Sequence, residues 1–242
     1  MNMPHYKISY EKHTKQLLEK HGTEEAMSLA VGGEYDAVGK LEYALLLQYG
    51  LERTHAVIDI GCGSGRLGFQ MRNFLDGRYI GIDVVPALTE YAKKKCARPD
   101  WIFYEAPGLT IPEEDRCADF ICFFSVFTHL LHEESYKYLE EASRVIKPGG
   151  KIIFTFLDFK IPGHWHAFEQ VLANKDPDKV LNQFISRDAI ECWATHLNLK
   201  IIDIQDGDKP HIELQEDIKW GDGSEMIGKG LLGQSVCILA KT

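Results

Sequence analysis

The stretch from Val57 to Arg66 constrains the fold of this chain more than any other segment, because it joins an apolar run to three alternating glycines. Its sequence is Val-Ile-Asp-Ile-Gly-Cys-Gly-Ser-Gly-Arg, and a second apolar run, Tyr79–Asp83, ends in another carboxylate. In an open parallel sheet, ligands bind beyond the carboxyl ends of the strands, where the strand order reverses. The pattern therefore predicts a strand–loop–helix–strand unit whose loop approaches a bound ligand.

The glycine spacing discriminates between possible ligands. Glycine leaves room for a close ligand and permits a positive φ. The dinucleotide fingerprint G-x-G-x-x-G needs a glycine where this chain has Arg66. The carboxylate of Asp59 is unfavourable beside a pyrophosphate, whereas the amino and sulfonium groups of S-adenosylmethionine tolerate it. Asp83 follows the loop by roughly 20 residues, where a carboxylate can accept both ribose hydroxyls. A glycine-rich turn without a ligand is the simpler alternative.

The central part of the chain alternates predicted strands and helices. Such alternation is typical of right-handed βαβ units in a doubly wound sheet with helices on both faces. The predicted strands are His55–Ile60, Tyr79–Asp83, Trp101–Tyr104, Ala118–Phe124 and Lys151–Leu157. The predicted helices are Gly65–Leu75, Pro86–Cys96 and Glu133–Ile146.

Four segments of this core, in order, resemble the class I S-adenosylmethionine-dependent methyltransferases of the small-molecule type. They are Val57–Leu67, Tyr79–Lys95, Asp119–Leu130 and Glu140–Phe154, the last of which resembles the family's RVLKPGG turn. Ser125–Leu130 and Gln234–Lys241 also resemble segments of bacterial members. The resemblance implies a Rossmann-like α/β fold, mostly parallel with an antiparallel last strand. It also implies S-adenosylmethionine as cofactor and S-adenosylhomocysteine as product.

The resemblance implies a set of cofactor-binding residues. The loop residues border the methionine part, Asp83 the ribose and Val84 the adenine. Pro107 stands where the family often has an acid, so backbone groups near Ala106, or Glu105, are expected to hold the adenine. The full set is Asp59, Gly61, Cys62, Gly63, Gly65, Asp83, Val84, Ala106, Pro107, Phe124 and Ser125.

Two residues are candidates for a general base. His129 follows the fourth strand, and an imidazole that titrates near neutrality can accept a proton. Asp158 ends the fifth strand, a common position for a carboxylate that faces the substrate. Each has a structural alternative: His129 could shape its loop by hydrogen bonding, and Asp158 could cap the next turn. His164 and His166 either meet a substrate or lie on a solvated helix face.

The rest of the chain is predicted as additions to this core. Residues 1–50 form a helical extension or lid, with helices at Glu11–Lys20 and Lys40–Tyr49, and Val31–Asp36 either covers the cofactor or forms a C-terminal turn. Residues 51–242 form the methyltransferase domain, with substrate-side insertions near 159–185 and 206–233. The first insertion is predicted to be helical, with a turn at Asp176–Asp178. A helix at Arg187–Leu197 and strands at Lys200–Gln205 and Gln234–Ala240 complete the prediction.

Composition limits the partners. The net charge of −9 argues against a nucleic-acid groove dominated by phosphate contacts. Six scattered cysteines show no C-x-x-C and no metal-ligand spacing, which favours a reduced, cytoplasmic protein. The longest apolar run, Phe120–Phe127, is too short to cross a bilayer. We therefore expect a small-molecule acceptor, no nucleic-acid or membrane partner and no metal, while the oligomeric state stays open.

Three other functions stay open at this point. A catalytically silent domain that binds cofactor or a partner protein is suggested by Pro107 and by the absence of an obvious base. A nicotinamide-dependent oxidoreductase is opposed by Arg66. A nucleic-acid methyltransferase is opposed by the acidic charge and by the absence of an Asn/Asp-Pro-Pro-Tyr signature.

Overall fold

One seven-stranded sheet organises the protein. The computed structural model describes residues 4–176 and 179–242. The strands of the sheet are β1 Val57–Ile60, β2 Tyr79–Asp83, β3 Ile102–Glu105, β4 Ala118–Phe123, β5 Ile146–Phe156, β6 Leu199–Gln205 and β11 Ser235–Lys241. Their order is β3-β2-β1-β4-β5-β11-β6.

The strand order reverses at β1, which pairs in parallel with both β2 and β4. β11 runs antiparallel to its two neighbours, β5 and β6. The predicted Rossmann-like sheet with an antiparallel last strand is therefore confirmed. The reversal opens a crevice beyond the carboxyl ends of β1 and β4, where such sheets bind their ligands.

The described part of the chain contains eight α-helices. They are α1 His5–Lys20, α2 Thr23–Leu29, α3 Tyr35–Gln48, α4 Arg66–Met71, α5 Pro86–Cys96, α6 His132–Val145, α7 Pro162–Ala173 and α8 Arg187–His196. The helices predicted in the core are present, with ends shifted by a few residues. The N-terminal prediction was less complete: α1 and α3 begin earlier than expected, and α2 was not separated. Glu34 is left-handed (φ 45°), so the chain can turn directly into α3 at Tyr35.

Each face of the sheet has its own hydrophobic core. α6 and α8 pack on one face through buried residues such as Leu139 and Ile190. α3 and α4 pack on the other, where Leu41, Leu45 and Leu67 are almost fully buried. The sheet thus lies between two helical layers, and the crevice at its edge is the place left for a ligand.

The segment 206–233, which was predicted as a substrate-side insertion, lies outside the seven-stranded sheet. It forms two short ribbons, one of β7 Ile212–Glu213 with β10 Lys229–Gly230, the other of β8 Ile218–Lys219 with β9 Glu225–Met226. These ribbons pack along α3, where the Gln48 amide donates to His211 O at 3.1 Å and accepts from Glu213 N at 2.8 Å. The predicted turn at 176–178 falls largely outside the described residues.

Candidate functional site

A cavity of about 300 Å³ lies beyond the carboxyl ends of β1, β2 and β4. Its volume is at the lower end of the range for small-molecule sites, roughly 300–1,000 Å³. Nine of the eleven predicted cofactor-binding residues line it: Asp59, Gly61, Cys62, Gly63, Asp83, Val84, Ala106, Phe124 and Ser125. Local sequence patterns thus identified most of one wall of this cavity.

The glycine loop is shaped by packing inside the protein. Gly61 and Gly63 have φ values of 69° and 54°. A Cβ atom on Gly61 would lie 2.5 Å from Val126 Cγ2, and one on Gly63 would lie 2.4 Å from Val31 Cγ1. The sequence argument expected these glycines to make room for a ligand, whereas here they make room for two valines that cover the loop. Gly65 packs on α5, where its Cβ would meet Ala92 Cβ at 2.9 Å, and it lies outside the described lining.

Asp83 holds the loop and still has capacity for a ligand. Its carboxylate accepts from Gly63 N and from Val85 N, both at 2.9 Å. Burial raises the pKa of Asp83, and these backbone N–H groups oppose the rise. A carboxylate offers about four acceptor positions, so capacity for a ligand hydroxyl remains.

Asp59 is a second buried carboxyl in the lining. It accepts a hydrogen bond from the Tyr79 hydroxyl at 2.7 Å. Burial raises the pKa of Asp59 to about 8, against the opposing effect of the Tyr79 hydrogen bond. At neutral pH the group is therefore mostly protonated until a positive charge arrives beside it.

A buried ion pair lies beside these two acids. Arg66 Nε donates to Glu42 Oε2 at 3.2 Å, and a second guanidinium nitrogen contacts Glu42 Oε1. Burial raises the pKa of the Glu42 carboxyl, and the Arg66 charge opposes that rise. Arg66 also donates to the backbone oxygen of Val31 at 2.7 Å. Both residues line the cavity, but neither was predicted as a site residue.

The N-terminal region forms a further part of the cavity lining, next to the glycine loop. Val31 and Gly32 belong to the turn between α2 and α3, and Tyr6 and Tyr10 come from α1. The Ser64 hydroxyl donates to Met27 O at 2.8 Å, which ties the end of α2 to the glycine loop. The two alternatives for Val31–Asp36 are thus compatible, since one segment forms the turn and also lines the cavity. The tyrosines were missed, although their spacing of four residues puts them on one face of a helix.

His129 lies in the helical turn Phe127–His129 and lines the same cavity. Its Nδ1 is 2.7 Å from Leu181 O. A carbonyl oxygen only accepts, so Nδ1 carries the proton and Nε2 keeps its lone pair in the neutral ring. Burial lowers the pKa of His129, and the nearby His13 lowers it further. The imidazole is therefore neutral near pH 7, with Nε2 able to accept a proton.

The other predicted residues have different environments. Asp158 is buried, and its carboxylate accepts from Arg187 Nε at 2.7 Å and from Lys160 N at 2.9 Å. Pro107 and Asp158 both lie outside the described lining of the cavity. Glu105 is exposed and forms an ion pair with Lys7. Ala106 lines the cavity, but its N–H donates to Asp83 O at 2.8 Å. The contact with the adenine at this point remains a prediction.

The two histidines of the insertion also differ from each other. His164 is buried: Asp158 N donates to its Nδ1 at 2.9 Å, and its Nε2 is 2.9 Å from Gly233 O. His166 is on the exposed face of α7. His164 thus has a structural role in which both ring nitrogens are engaged.

A second cavity of about 390 Å³ borders the first. Its described lining comes from the end of β5, from α7, from residues 179–182 and from Gln234. His129 and Gln234 line both cavities. No signal in the sequence pointed to Gln234, because its position depends on the pairing of β11 at the far end of the chain.

Comparisons with known proteins agree with this geometry. Residues 58–154 match a family model described as a methyltransferase domain. A malonyl-[acyl-carrier protein] O-methyltransferase of Hahella chejuensis is 27% identical over 149 residues, covering 60% of this chain and 50% of that protein. The biotin biosynthesis bifunctional protein BioHC of Saccharophagus degradans is 28% identical over 178 residues, covering 66% of this chain and 30% of that protein. The chain thus spans half or less of the length of these relatives.

A solved structure with the same fold covers almost the whole chain. It is the magnesium protoporphyrin IX methyltransferase of Synechocystis PCC 6803 with bound S-adenosylhomocysteine, at a TM-score of 0.65 and 12% identity, covering 99% of this chain and 100% of that one. Residues 58–154 thus match a methyltransferase domain, and the chain has the fold of S-adenosylmethionine-dependent methyltransferases. S-adenosylmethionine is the cofactor of this class.

Within residues 4–176 and 179–242, no group of three or more histidine, cysteine, aspartate or glutamate side chains is arranged to bind a metal ion. Over the same ranges, no helix combines the length and the apolarity needed to span a membrane.

Proposed function

We propose that this protein transfers the methyl group of S-adenosylmethionine to an oxygen, or else a nitrogen, of a small-molecule acceptor. One observation carries the proposal: a buried carboxylate with spare acceptor capacity, Asp83, stands beside the glycine loop in a cavity at the strand-order reversal. A cytoplasmic location, which six unpaired cysteines favour, is part of the same proposal.

The charges of the cavity fit this cofactor better than a dinucleotide. The described lining contains the carboxyl groups of Glu42, Asp59 and Asp83. Its guanidinium, Arg66, is already engaged by Glu42 and by a backbone oxygen. A pyrophosphate would meet two buried acids here without a free cation, whereas an ammonium or sulfonium group is attracted to them. The spare acceptor positions of Asp83 suit ribose hydroxyls, and Val84, Leu88 and Leu130 supply apolar surface.

A cofactor held by Asp83 and the glycine loop would supply a methyl carbon activated by the positive sulfur. Its carbon–sulfur bond would break, with the electron pair left on sulfur, as the acceptor atom bonds to that carbon. The protein has to orient the acceptor, exclude water and take up a proton. We assign proton uptake to His129 Nε2, because the hydrogen bond of Nδ1 to Leu181 O fixes the tautomer. Asp158 receives no role in this mechanism, since Arg187 already neutralises it.

Calorimetric titration with S-adenosylmethionine, S-adenosylhomocysteine and NAD tests the cofactor assignment. The wild type should bind the first two compounds and not NAD. Asp83→Ala should lose about 100-fold or more in affinity, because it removes the acceptor of the ribose hydroxyls and of Gly63 N–H. Asp76→Ala is the matched control, as it removes an exposed carboxylate paired with Arg53.

A screen with a labelled methyl group then tests the activity itself. Transfer of label to a small molecule would support an enzyme. Tight cofactor binding by a folded protein that labels no acceptor would favour the alternative, a catalytically silent domain. A folded, ligand-free wild type that binds neither sulfur compound would overturn the proposed function.

A further inference from the structure

Gln234 stands at the boundary between the two cavities. It follows Gly233 and immediately precedes β11, where Ser235 pairs with Phe156 at the end of β5. His129 and Gln234 are the described residues that line both cavities. A ligand that extends from the second cavity into the first would therefore lie close to both residues.

The backbone around Gln234 is held from three sides. His164 Nε2 is 2.9 Å from the carbonyl oxygen of Gly233, and because Nδ1 accepts from Asp158 N, Nε2 is the donor. Gly207 N donates to Ser235 Oγ at 3.2 Å. A Cβ on Gly207 would lie 2.5 Å from the carbonyl carbon of Gln234, so the two backbones are in close contact. The buried His164 therefore has a structural role, since it holds Gly233, the residue that precedes Gln234.

The buried Oε1 atom of the Gln234 side chain has no hydrogen-bond donor among the described residues. A buried acceptor without a donor costs roughly 1–3 kcal/mol, and such groups are rare in native proteins. At the boundary of two ligand-sized cavities, a donor that arrives with a ligand removes this cost.

The second cavity has a distinct polarity. Its described lining contains three further amides, Gln170, Asn174 and Asn182, together with Lys179. The described lining contains no carboxylate, which contrasts with the three acids of the first cavity. Lys179 Nζ donates to the backbone oxygens of Val171 and Asn174, both at 2.8 Å. Since these partners are uncharged, the described lining carries a positive charge, which favours neutral or anionic ligands over cationic ones.

From this geometry we propose that the second cavity binds the methyl acceptor and that Gln234 is its positioning residue. Gln234 Oε1 accepts a hydrogen bond from an O–H or N–H group next to the atom that is methylated. His129 Nε2 takes the proton of the methylated atom itself. The acceptor is a small polar molecule that carries two neighbouring donors and an anionic group. This inference rests on the proposed function and names the acceptor class of the same site.

The test uses compounds that differ in one feature each. 3,4-Dihydroxybenzoate, gluconate and glycerol 3-phosphate carry neighbouring hydroxyls and an anionic group. Dopamine and glucosamine replace the anionic group by a cation, and 4-hydroxybenzoate lacks the neighbouring donor. The full-length protein should label at least one anionic diol, with a kcat/KM about 10-fold or more above its cationic counterpart. If a folded protein that binds S-adenosylmethionine labels none of the anionic diols, the acceptor class proposed here is wrong.

Variants of Gln234 separate positioning of the acceptor from binding of the cofactor. Gln234→Leu keeps the size but removes the acceptor oxygen, so kcat/KM for the diol should fall by about 10- to 100-fold, mainly through KM. The preference for 3,4-dihydroxybenzoate over 4-hydroxybenzoate should disappear in this variant. The dissociation constant of S-adenosylmethionine should stay within about threefold, which also shows that the variant folds.

A matched control and the opposite results complete the experiment. Gln205→Leu makes the same change at the end of β6, where the amide donates to Asp203 at 2.6 Å, outside the described linings of both cavities. It should leave both constants unchanged. If Gln234→Leu weakens cofactor binding by about 10-fold while the acceptor KM is unchanged, the amide serves the cofactor and the inference fails. If the folded wild type does not bind S-adenosylmethionine at all, the proposed function itself is wrong.

Discussion

The two cavities of this protein are built from different kinds of structure. The first lies at the ends of strands and on the glycine loop. Hydrogen bonds join the loop to the strand ends, as from Gly63 N to the Asp83 carboxylate at 2.9 Å. The second lies under α7 and the residues that follow it, where Leu172 is 62% exposed and Trp165 is 47% exposed. The first cavity is formed largely by the sheet, whereas much of the described lining of the second comes from a surface helix and the residues that follow it.

This difference suggests a division of work. A site that binds the same cofactor in every turnover benefits from a rigid wall, since preorganised groups lose little entropy on binding. A site that selects the acceptor can differ between relatives when it is formed by an insertion on that scaffold. Substitutions in the two regions should therefore separate binding of the cofactor from use of the acceptor.

The largest effect is expected from His129→Gln, which acts on proton transfer at the boundary of the two regions. With a hydroxyl acceptor, kcat should fall by about 100- to 10,000-fold, because the positioned base is lost. The lowered pKa of His129 places the base in its neutral form at pH 7. The acidic limb of the kcat–pH profile should therefore lie below the usual range of histidine and should vanish in the variant. A kcat within about threefold of the wild type would show that another group takes the proton.

Gly63→Ala should damage the cofactor region next most strongly. The new Cβ would lie 2.4 Å from Val31 Cγ1, at a φ of 54° that suits glycine. Affinity for S-adenosylmethionine, measured by calorimetry, should fall by about 100-fold, and the free energy of unfolding by about 2–4 kcal/mol.

Two further variants distinguish collision from backbone strain at Gly63. Gly223→Ala also has a positive φ, of 87°, but nothing lies within 4 Å of its Cβ. It should cost about 1 kcal/mol in stability and leave cofactor binding unchanged. Adding Val31→Ala to Gly63→Ala should restore part of the affinity. No recovery in the double variant would show that contact with Val31 is not the cause.

Ala167→Trp should affect the acceptor region alone. A tryptophan on the inner face of α7 fills part of the second cavity, so the acceptor KM should rise by about 10-fold or more. Cofactor affinity should not change, because this residue does not belong to the described lining of the first cavity. Leu172→Trp is the control on the exposed face of the same helix. A parallel loss of cofactor binding in Ala167→Trp would contradict the separation of the two regions.

The smallest effect is expected from a change of pH, which should alter the affinity for the cofactor. Asp59 has a pKa of about 8 in the folded protein, above its value in the unfolded chain. Its contribution to stability is therefore present at low pH and is lost as pH rises through about 8. A positive cofactor favours the ionised form, so affinity should increase by about 3- to 10-fold between pH 6 and 8.

Asp59→Asn isolates this contribution. The variant should bind more weakly at pH 8 and lose most of the pH dependence, as measured by calorimetry in buffers of different ionisation enthalpy. The titration of the cofactor's own amino group is common to both proteins and cancels in the comparison. An equal pH dependence in the variant would assign the titration to another group.

Sequence reasoning identified much of the lining of the first cavity because the features of that lining are local. A strand, a glycine spacing and Asp83 lie within 27 residues of one another, from Val57 to Asp83, and each has a distinct signature. The sheet with its antiparallel last strand followed from the same reasoning. Glu42 and Gln234 were missed because each becomes a site residue only through packing between distant segments.

Asp158 shows the opposite limit of the same approach. Its position at the end of a strand suggested a carboxylate that faces the substrate. The partner that neutralises it, Arg187, is 29 residues away at the start of α8. A pattern along the chain contains no information about such a pairing, so the sequence could not separate a reactive carboxylate from a neutralised one.

The attachment of α1 has a consequence for turnover. The turn at Val31 is held by Arg66 of α4, which also pairs with the buried Glu42 of α3. The start of α1 is attached by Lys7 with Glu105 and by His5 with Glu134 at 2.9 Å. Those two contacts include exposed groups, and salt screens exposed pairs far more than buried ones. If spent cofactor leaves beneath α1, the exit rate should rise with ionic strength while the chemical step does not. An exposed ion pair would then limit the rate of turnover, whereas buried groups would determine the rate of the chemical step.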